Sequence, residues 1–264
     1  VAFQQGGQLV PRAIPNPDKT KDNADMLTGA IQSSGKFGFQ YGKIEARLLT
    51  NPHTGNFPAF WMMPDDQSLG WPKDGEIDIW EQIDNEQTAY HTLHTGYAQS
   101  MRSFSENCPT DRYHTFGFEW DAEKMIWYLD GKQVGRYNKS EINDPRAWPF
   151  DKTFYIILNQ SVGSGAWARP ADINHTYETR FDWVRVYQKS GQHNTTGLHE
   201  LTGDNSLDIH AKNGKVFLHA SEPVRVTITD TSGRTVYTRN LTGNDCVAIQ
   251  QGVYIVNGRK VLVP

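Results

Sequence analysis

The stretch Glu76-Ile77-Asp78-Ile79-Trp80-Glu81 sets three carboxylates into an apolar, strand-forming run. Successive side chains of a strand point to opposite faces, so Glu76 and Asp78 share one face, and strict alternation would turn Glu81 in among the isoleucines. A buried carboxylate without a partner is costly. One extra residue accommodated as a β-bulge near Ile79 and Trp80 returns Glu81 to the face of Glu76 and Asp78. The stretch therefore predicts a bulged strand carrying three aligned acids. A solvated acidic face on an edge strand would fit the same spacing, but acids on one face repel one another. Retaining glycoside hydrolysis has a use for that repulsion, because it needs two carboxyl groups about 5 Å apart, one ionised as nucleophile and one protonated as acid. Neighbouring charges drive two such pKa values apart, and Asp78, lying between the glutamates, is placed to tune the difference.

Outward from this strand the chain reads as short alternating runs joined by turn signals, without long helical periodicity. Lys124–Leu129, Asp130-Gly131 and residues 132–134 form one hairpin pattern; residues 207–211, Asn213-Gly214 and residues 216–220 form another. Both halves are expected to be all-β, the first as a two-sheet sandwich. All eight tryptophans lie between Trp61 and Trp183. That shift, with the polar run at 189–197, predicts two domains, 1–188 and 200–264, joined by a linker at 189–199.

The net charge of -4 offers no basic patch for nucleic acid and argues against highly sulfated substrates. Cys108 and Cys246 fall one in each domain, which excludes a disulfide within either. No apolar run approaches the ~20 residues of a membrane span, and Val1 does not begin a signal peptide. No zinc-type His/Cys spacing and no Ser-His-Asp context is present. A monomer is expected.

The acidic stretch resembles the longer, bulged form of the signature of glycoside hydrolase family 16. Residues 38–47, 57–63 and 181–187 resemble further family segments in family order, so the likeness runs over roughly residues 3–188. It implies a concanavalin-like β-jelly-roll sandwich with a cleft across its concave sheet. It also implies Glu76 as nucleophile, Glu81 as acid/base and Asp78 as their assistant. The implied reaction is retaining endo-hydrolysis of β-1,3- or mixed-linkage β-1,3-1,4-glucans, with no cofactor required. The alternatives are an agarase or related galactan hydrolase, and a non-catalytic glucan-binding protein. Strands that usually precede the family's first matching segment are not in this sequence, so a sandwich shortened at its N-terminal side is expected.

Sugar rings present apolar faces to aromatic side chains, which makes Trp61, Trp80 and Trp167 the substrate-binding candidates, while Trp120, Trp127 and Trp183 read as core. Trp167 follows a glycine-rich segment and is expected on a flexible loop. His94 matches a family position facing the acids, and Asn159 and Gln160 match its substrate-lining strand. The resemblance also implies a structural calcium with Asp182 as a ligand. The C-terminal segment, with Gln251-Gly252-Val253-Tyr254-Ile255-Val256, resembles the sorting domain of the type IX secretion system of Bacteroidota, which implies secretion or surface attachment in such a bacterium. A small carbohydrate-binding β-sandwich is the alternative.

Overall fold

The computed structural model describes residues 1–97, 102–188, 207–230, 234–257 and 259–263. The chain divides into two compact units, Val1–Gly197 and Leu198–Pro264, beside the expected boundary; the linker expected at 189–199 lies outside the described residues.

In the first unit the strands are β1 (Ala2–Gln5), β2 (Gln8–Pro15), β3 (Met26–Leu27), β4 (Gly29–Gln32), β5 (Gly38–Phe39), β6 (Gly42–Thr50), β7 (Asn56–Pro64), β8 (Glu76–Glu81), β9 (Thr88–His94), β10 (Arg102–Asn107), β11 (His114–Trp120), β12 (Lys124–Leu129), β13 (Lys132–Asn138), β14 (Phe154–Val162) and β15 (Tyr177–Tyr187). They form two antiparallel sheets packed as a jelly-roll sandwich. One runs β1-β2-β15-β6-β11-β12-β13, and the other runs β10-β9-β8-β7-β14-β4.

The core follows from period-two alternation. Ile44, Ala46 and Leu48 of β6 and Phe116, Phe118 and Trp120 of β11 face Phe60 and Met62 of β7 and Ile77 and Ile79 of β8, all essentially without exposure. Each fully buried Ile, Leu, Phe or Met contributes on the order of 1.5–3 kcal/mol. The predicted hairpin between β12 and β13 forms with Leu129 opposite Lys132, and Asp130 and Gly131 at φ 49° and 79° supply the left-handed pair of a two-residue turn.

One end of this sandwich holds a buried polar chain instead of hydrocarbon. Asn56 donates to Gln82 Oε1 at 2.5 Å, Gln160 donates to Asn56 Oδ1 at 2.8 Å, and Thr179 donates to Gln160 Oε1 at 2.6 Å. Every member is satisfied, the condition under which such a chain can be buried without a large penalty.

The second unit contains β16 (Leu207–Lys212), β17 (Lys215–Asp230), β18 (Thr235–Ala248), β19 (Gly252–Val256) and β20 (Arg259–Val263). They form one continuous ladder, and the β17–β18 register breaks between Ala220 and Val224. Leu207, Val216 and Leu218 before the break share a core with Val226, Ile228 and Val256 after it, so a single sheet folds over itself to make the layers. The Asn213-Gly214 turn joins β16 to β17 as expected, with Lys212 opposite Lys215.

Candidate active site

Strand β8 is bulged where the sequence requires it. Asp78 pairs with Trp61 and Trp80 with Phe60 on β7, so two steps along β8 match one along β7, and Ile79 has no partner in either register. The β9 side shows the same excess, with Asp78 opposite Thr92 and Glu81 opposite Tyr90. Ile77, Ile79 and Trp80 all point into the core at 0% exposure. Glu76, Asp78 and Glu81 are thereby left on the outer face, where Glu76 and Glu81 are half-buried and Asp78 is covered.

Burial and mutual repulsion set the protonation of this row. Asp78 is pushed well above the ordinary carboxylate range, first by burial and then by the charge of Glu76 beside it. Glu81 is pushed up to about 8, again chiefly by burial and then by Asp78 and Glu76; His94 and a 3.4 Å hydrogen bond from Thr92 Oγ1 oppose the shift. At neutral pH Glu81 thus holds its proton, on the same face as Glu76 and Asp78. Glu76 accepts a short hydrogen bond from the indole N–H of Trp71. His94 Nε2 lies 3.1 Å from Asp78 Oδ2 but out of hydrogen-bonding alignment, which leaves that buried oxygen unpartnered. Glu76, Asp78 and His94 bring one potential ligand atom each to within 4.8 Å of one another. The upward shifts of Asp78 and Glu81 make this row better suited to acid–base work than to cation binding.

Aromatic side chains border the acids. Trp61, opposite Asp78 on β7, is half-buried, and its indole N–H donates to Asn159 Oδ1 at 2.7 Å. Trp167 is 50% exposed and meets Tyr90, the β9 neighbour of Glu81, edge-on at 5.3 Å. Trp71 is 63% exposed and lies 5.8 Å from the His94 ring, at the Glu76 end of the row. It was not singled out from the sequence, although Gly70-Trp71-Pro72 is the kind of loop setting that marked Trp167. Replacing Trp71 by Phe keeps an aromatic ring but loses the five-membered part of the indole, and with it the bond that orients Glu76. We expect KM near the parental value and kcat lowered about tenfold, the scale of one hydrogen bond to a charged group, in steady-state kinetics on a soluble glucan.

A family model for glycosyl hydrolases family 16 matches residues 16–185. The chain belongs to this family. It is 34% identical over 194 residues to a keratan-sulfate endo-1,4-beta-galactosidase of Sphingobacterium multivorum, covering 71% of this chain and 46% of that protein. It is 32% identical over 200 residues to a beta-glucanase of Rhodothermus marinus, covering 69% of this chain and 68% of that protein. The laminarinase catalytic domain of Thermotoga maritima MSB8 superposes with a TM-score of 0.64 at 31% identity, over 71% of this chain and 80% of that one. The chain thus spans about half the length of the first relative and two thirds of the second.

Within this family 16 domain the structure departs from several expectations. Trp80 is no sugar platform: the bulge sends it inward beside Ile79, and it packs on Phe116 at 5.3 Å with no exposure. Gln160 is equally inaccessible. It follows Asn159 on β14, so the two must face opposite ways, and Gln160 belongs to the buried polar chain while Asn159 stands beneath Trp61. The Asp182 carboxylate is held by Arg47 at 2.6 Å, so a calcium ion there would have to compete with the guanidinium. Trp183 is half-buried, with the Arg185 guanidinium 4.2 Å over its ring, whereas Trp120 and Trp127 are core as expected. The backbone around Trp167 is also tied down, since Gly163 N donates to Gly55 O at 2.9 Å and Arg169 N to Asp84 Oδ1 at 3.2 Å.

Proposed function

We propose that the chain is a retaining endo-glycosidase acting on β-1,3- and mixed-linkage β-1,3-1,4-glucans, without a cofactor and as a monomer. The observation that carries this reading is that the bulge sets Glu76 and Glu81 on one face of β8, with a proton held on Glu81 to about pH 8. In the first step the Glu76 carboxylate attacks the anomeric carbon, the glycosidic C–O bond breaks, and the departing oxygen takes the Glu81 proton. In the second step Glu81, now ionised, removes a proton from water, whose oxygen displaces Glu76. Net retention follows from two inversions. Asp78, pushed above the ordinary carboxylate range by burial and by Glu76 beside it, limits the charge on the face and orients the nucleophile. The beta-glucanase and laminarinase relatives favour glucan as the polymer.

A second reading is favoured by a specific feature. A cavity of ≈ 580 Å³ is lined by Lys73, Arg146 and Lys152, with Leu69 and Gly96. Lys152 pairs with Asp74 at 2.9 Å and Arg146 with Asp144, whereas Lys73 has no ion-pair partner among the described residues. Lys73 lies three residues before Glu76 and Gly96 two after His94, so a local cationic site adjoins the acids despite the overall negative charge. An anionic galactan would suit it, as for the keratan-sulfate relative.

Reducing-sugar release from laminarin, mixed-linkage glucan, agarose and keratan sulfate, by the chain and by Glu76→Ala, decides among these. Cleavage of the glucans lost in the variant supports the first reading. Preference for keratan sulfate, reduced by Lys73→Ala, supports the second. Glucan binding without hydrolysis by a folded parent would leave the non-catalytic alternative. For the second unit we propose a sorting role, and hence secretion or display at the surface of a Bacteroidota cell. Its core is mostly aliphatic, with Tyr254 among the buried residues, and its sequence lacks tryptophan, so it offers few platforms for sugar.

A further inference from the structure

The bulge turns Glu81 outward by taking Ile79 out of register, and the carbonyls of Asp78 and Ile79 lie at that break. Both are caught by buried side chains from the core side. Ile79 O lies 2.6 Å from His91 Nδ1, and Asp78 O accepts from Trp127 Nε1 at 3.2 Å. His91 belongs to the adjacent strand β9 and Trp127 to β12 in the opposite sheet, so the bulge is fastened to both layers of the sandwich. A carbonyl can only accept, so the proton of His91 sits on Nδ1. The other ring nitrogen is buried without a partner, and burial lowers the pKa of this histidine, keeping it neutral. Neither residue reaches the outer face, since both are 0% exposed.

We propose that His91 and Trp127 are positioning residues for acid catalysis, holding the extra residue of the bulge at Ile79 and so aiming the Glu81 carboxyl across the same face as Glu76. This rests on the reading of Glu76 as nucleophile and Glu81 as acid. The leverage is geometric. Each residue of a strand advances the chain about 3.3 Å and reverses its face. A bulge relocated by one position therefore carries Glu81 away from the glycosidic oxygen, and a misplacement of about 1 Å can cost on the order of 10²-fold. Glu76 lies on the other side of the bulge, paired with His94, and is left in place.

Leaving-group chemistry separates such positioning from a general loss of structure. A sugar leaving group needs the proton of Glu81, whereas 2,4-dinitrophenolate departs without one. The test uses the full chain and its Trp127→Phe, His91→Leu and His91→Asn variants on a laminari-oligosaccharide and on the dinitrophenyl β-glycoside of laminaribiose. The pre-steady-state burst of dinitrophenolate reports the first step alone. Trp127→Phe and His91→Leu should lose about 10- to 100-fold in kcat on the oligosaccharide, with KM within about twofold and the burst rate within about threefold. His91→Asn, whose amide N–H can stand near the position of Nδ1, should recover most of that loss. Equal losses on both substrates, or no loss on either, would overturn the assignment. If His91→Leu does not fold, Trp127→Phe, which keeps a six-membered aromatic ring and removes the N–H together with the rest of the five-membered ring, decides through the same comparison of oligosaccharide turnover with burst rate. Absence of turnover by the parent on both substrates would instead overturn the catalytic reading beneath it, so the two failures are told apart.

Discussion

Glu76→Ala should abolish glucan hydrolysis while leaving glucan binding intact. Removal of a covalent nucleophile is expected to cost on the order of 10⁴–10⁶-fold in kcat, the range seen when members of a nucleophilic triad are deleted. Binding survives because the aromatic border of Trp61, Trp71 and Trp167 is untouched, apart from the released indole N–H of Trp71. The cavity left by the missing carboxylate can admit a small anion. Azide should therefore restore turnover of an activated aryl glycoside and give a product of inverted configuration, the α-glycosyl azide. Near-parental turnover by the variant, or a β-configured azide product read by NMR, would contradict Glu76 as the group that attacks.

Glu81→Gln should be the second large effect, and its size should depend on pH and on the leaving group. General acid catalysis contributes roughly 10²–10⁴-fold, so a natural glucan should lose activity on that scale. In the parent, Glu81 must carry its proton in the first step, and its pKa of about 8 places the descending, basic limb of the kcat/KM profile near that pH. The amide has no proton to lose, so that limb should vanish in the variant. Stability carries the same signature. The folded-state pKa lies above the unfolded value of 4.5, so the stabilisation associated with this group is complete below that value and is lost as pH rises through about 8. Thermal unfolding of the parent should therefore fall between pH 5 and 9 more steeply than that of Glu81→Gln. Parallel stability curves, or a basic limb that persists in the variant, would show that Glu81 does not hold the titrating proton.

The sandwich withstands the row of acids because the core on the other side of β8 is complete. Trp80 and Ile79, both turned inward by the bulge, fill space against Phe116 and the rest of β11. The same irregularity that costs a place in the ladder supplies two inward side chains in succession. Bulges are found beside functional sites because they re-aim a side chain at small cost to the sheet.

Local chemistry was enough to determine several features from the residues alone. Carboxylates cannot share a face with Ile77, Ile79 and Trp80 in a core, so the spacing of Glu76, Asp78 and Glu81 already demanded the bulge. The Asp130-Gly131 and Asn213-Gly214 pairs determined two hairpins, because those residues tolerate the left-handed backbone that a two-residue turn needs. What the tertiary structure alone decided depended on register and burial, which sum over many distant residues. Asn159 and Gln160 look alike in sequence, yet pairing with β7 put one beneath Trp61 and the other into a polar chain with Asn56 and Thr179. Trp80, expected in the cleft, was drawn inward by the bulge, and Trp71, which the sequence had not marked, was set over Glu76 by its loop. The partner of Asp182, Arg47, is 135 positions away. The proton on Glu81, on which the proposed chemistry turns, is set by how completely the folded chain excludes water around it, a property that no six-residue motif contains.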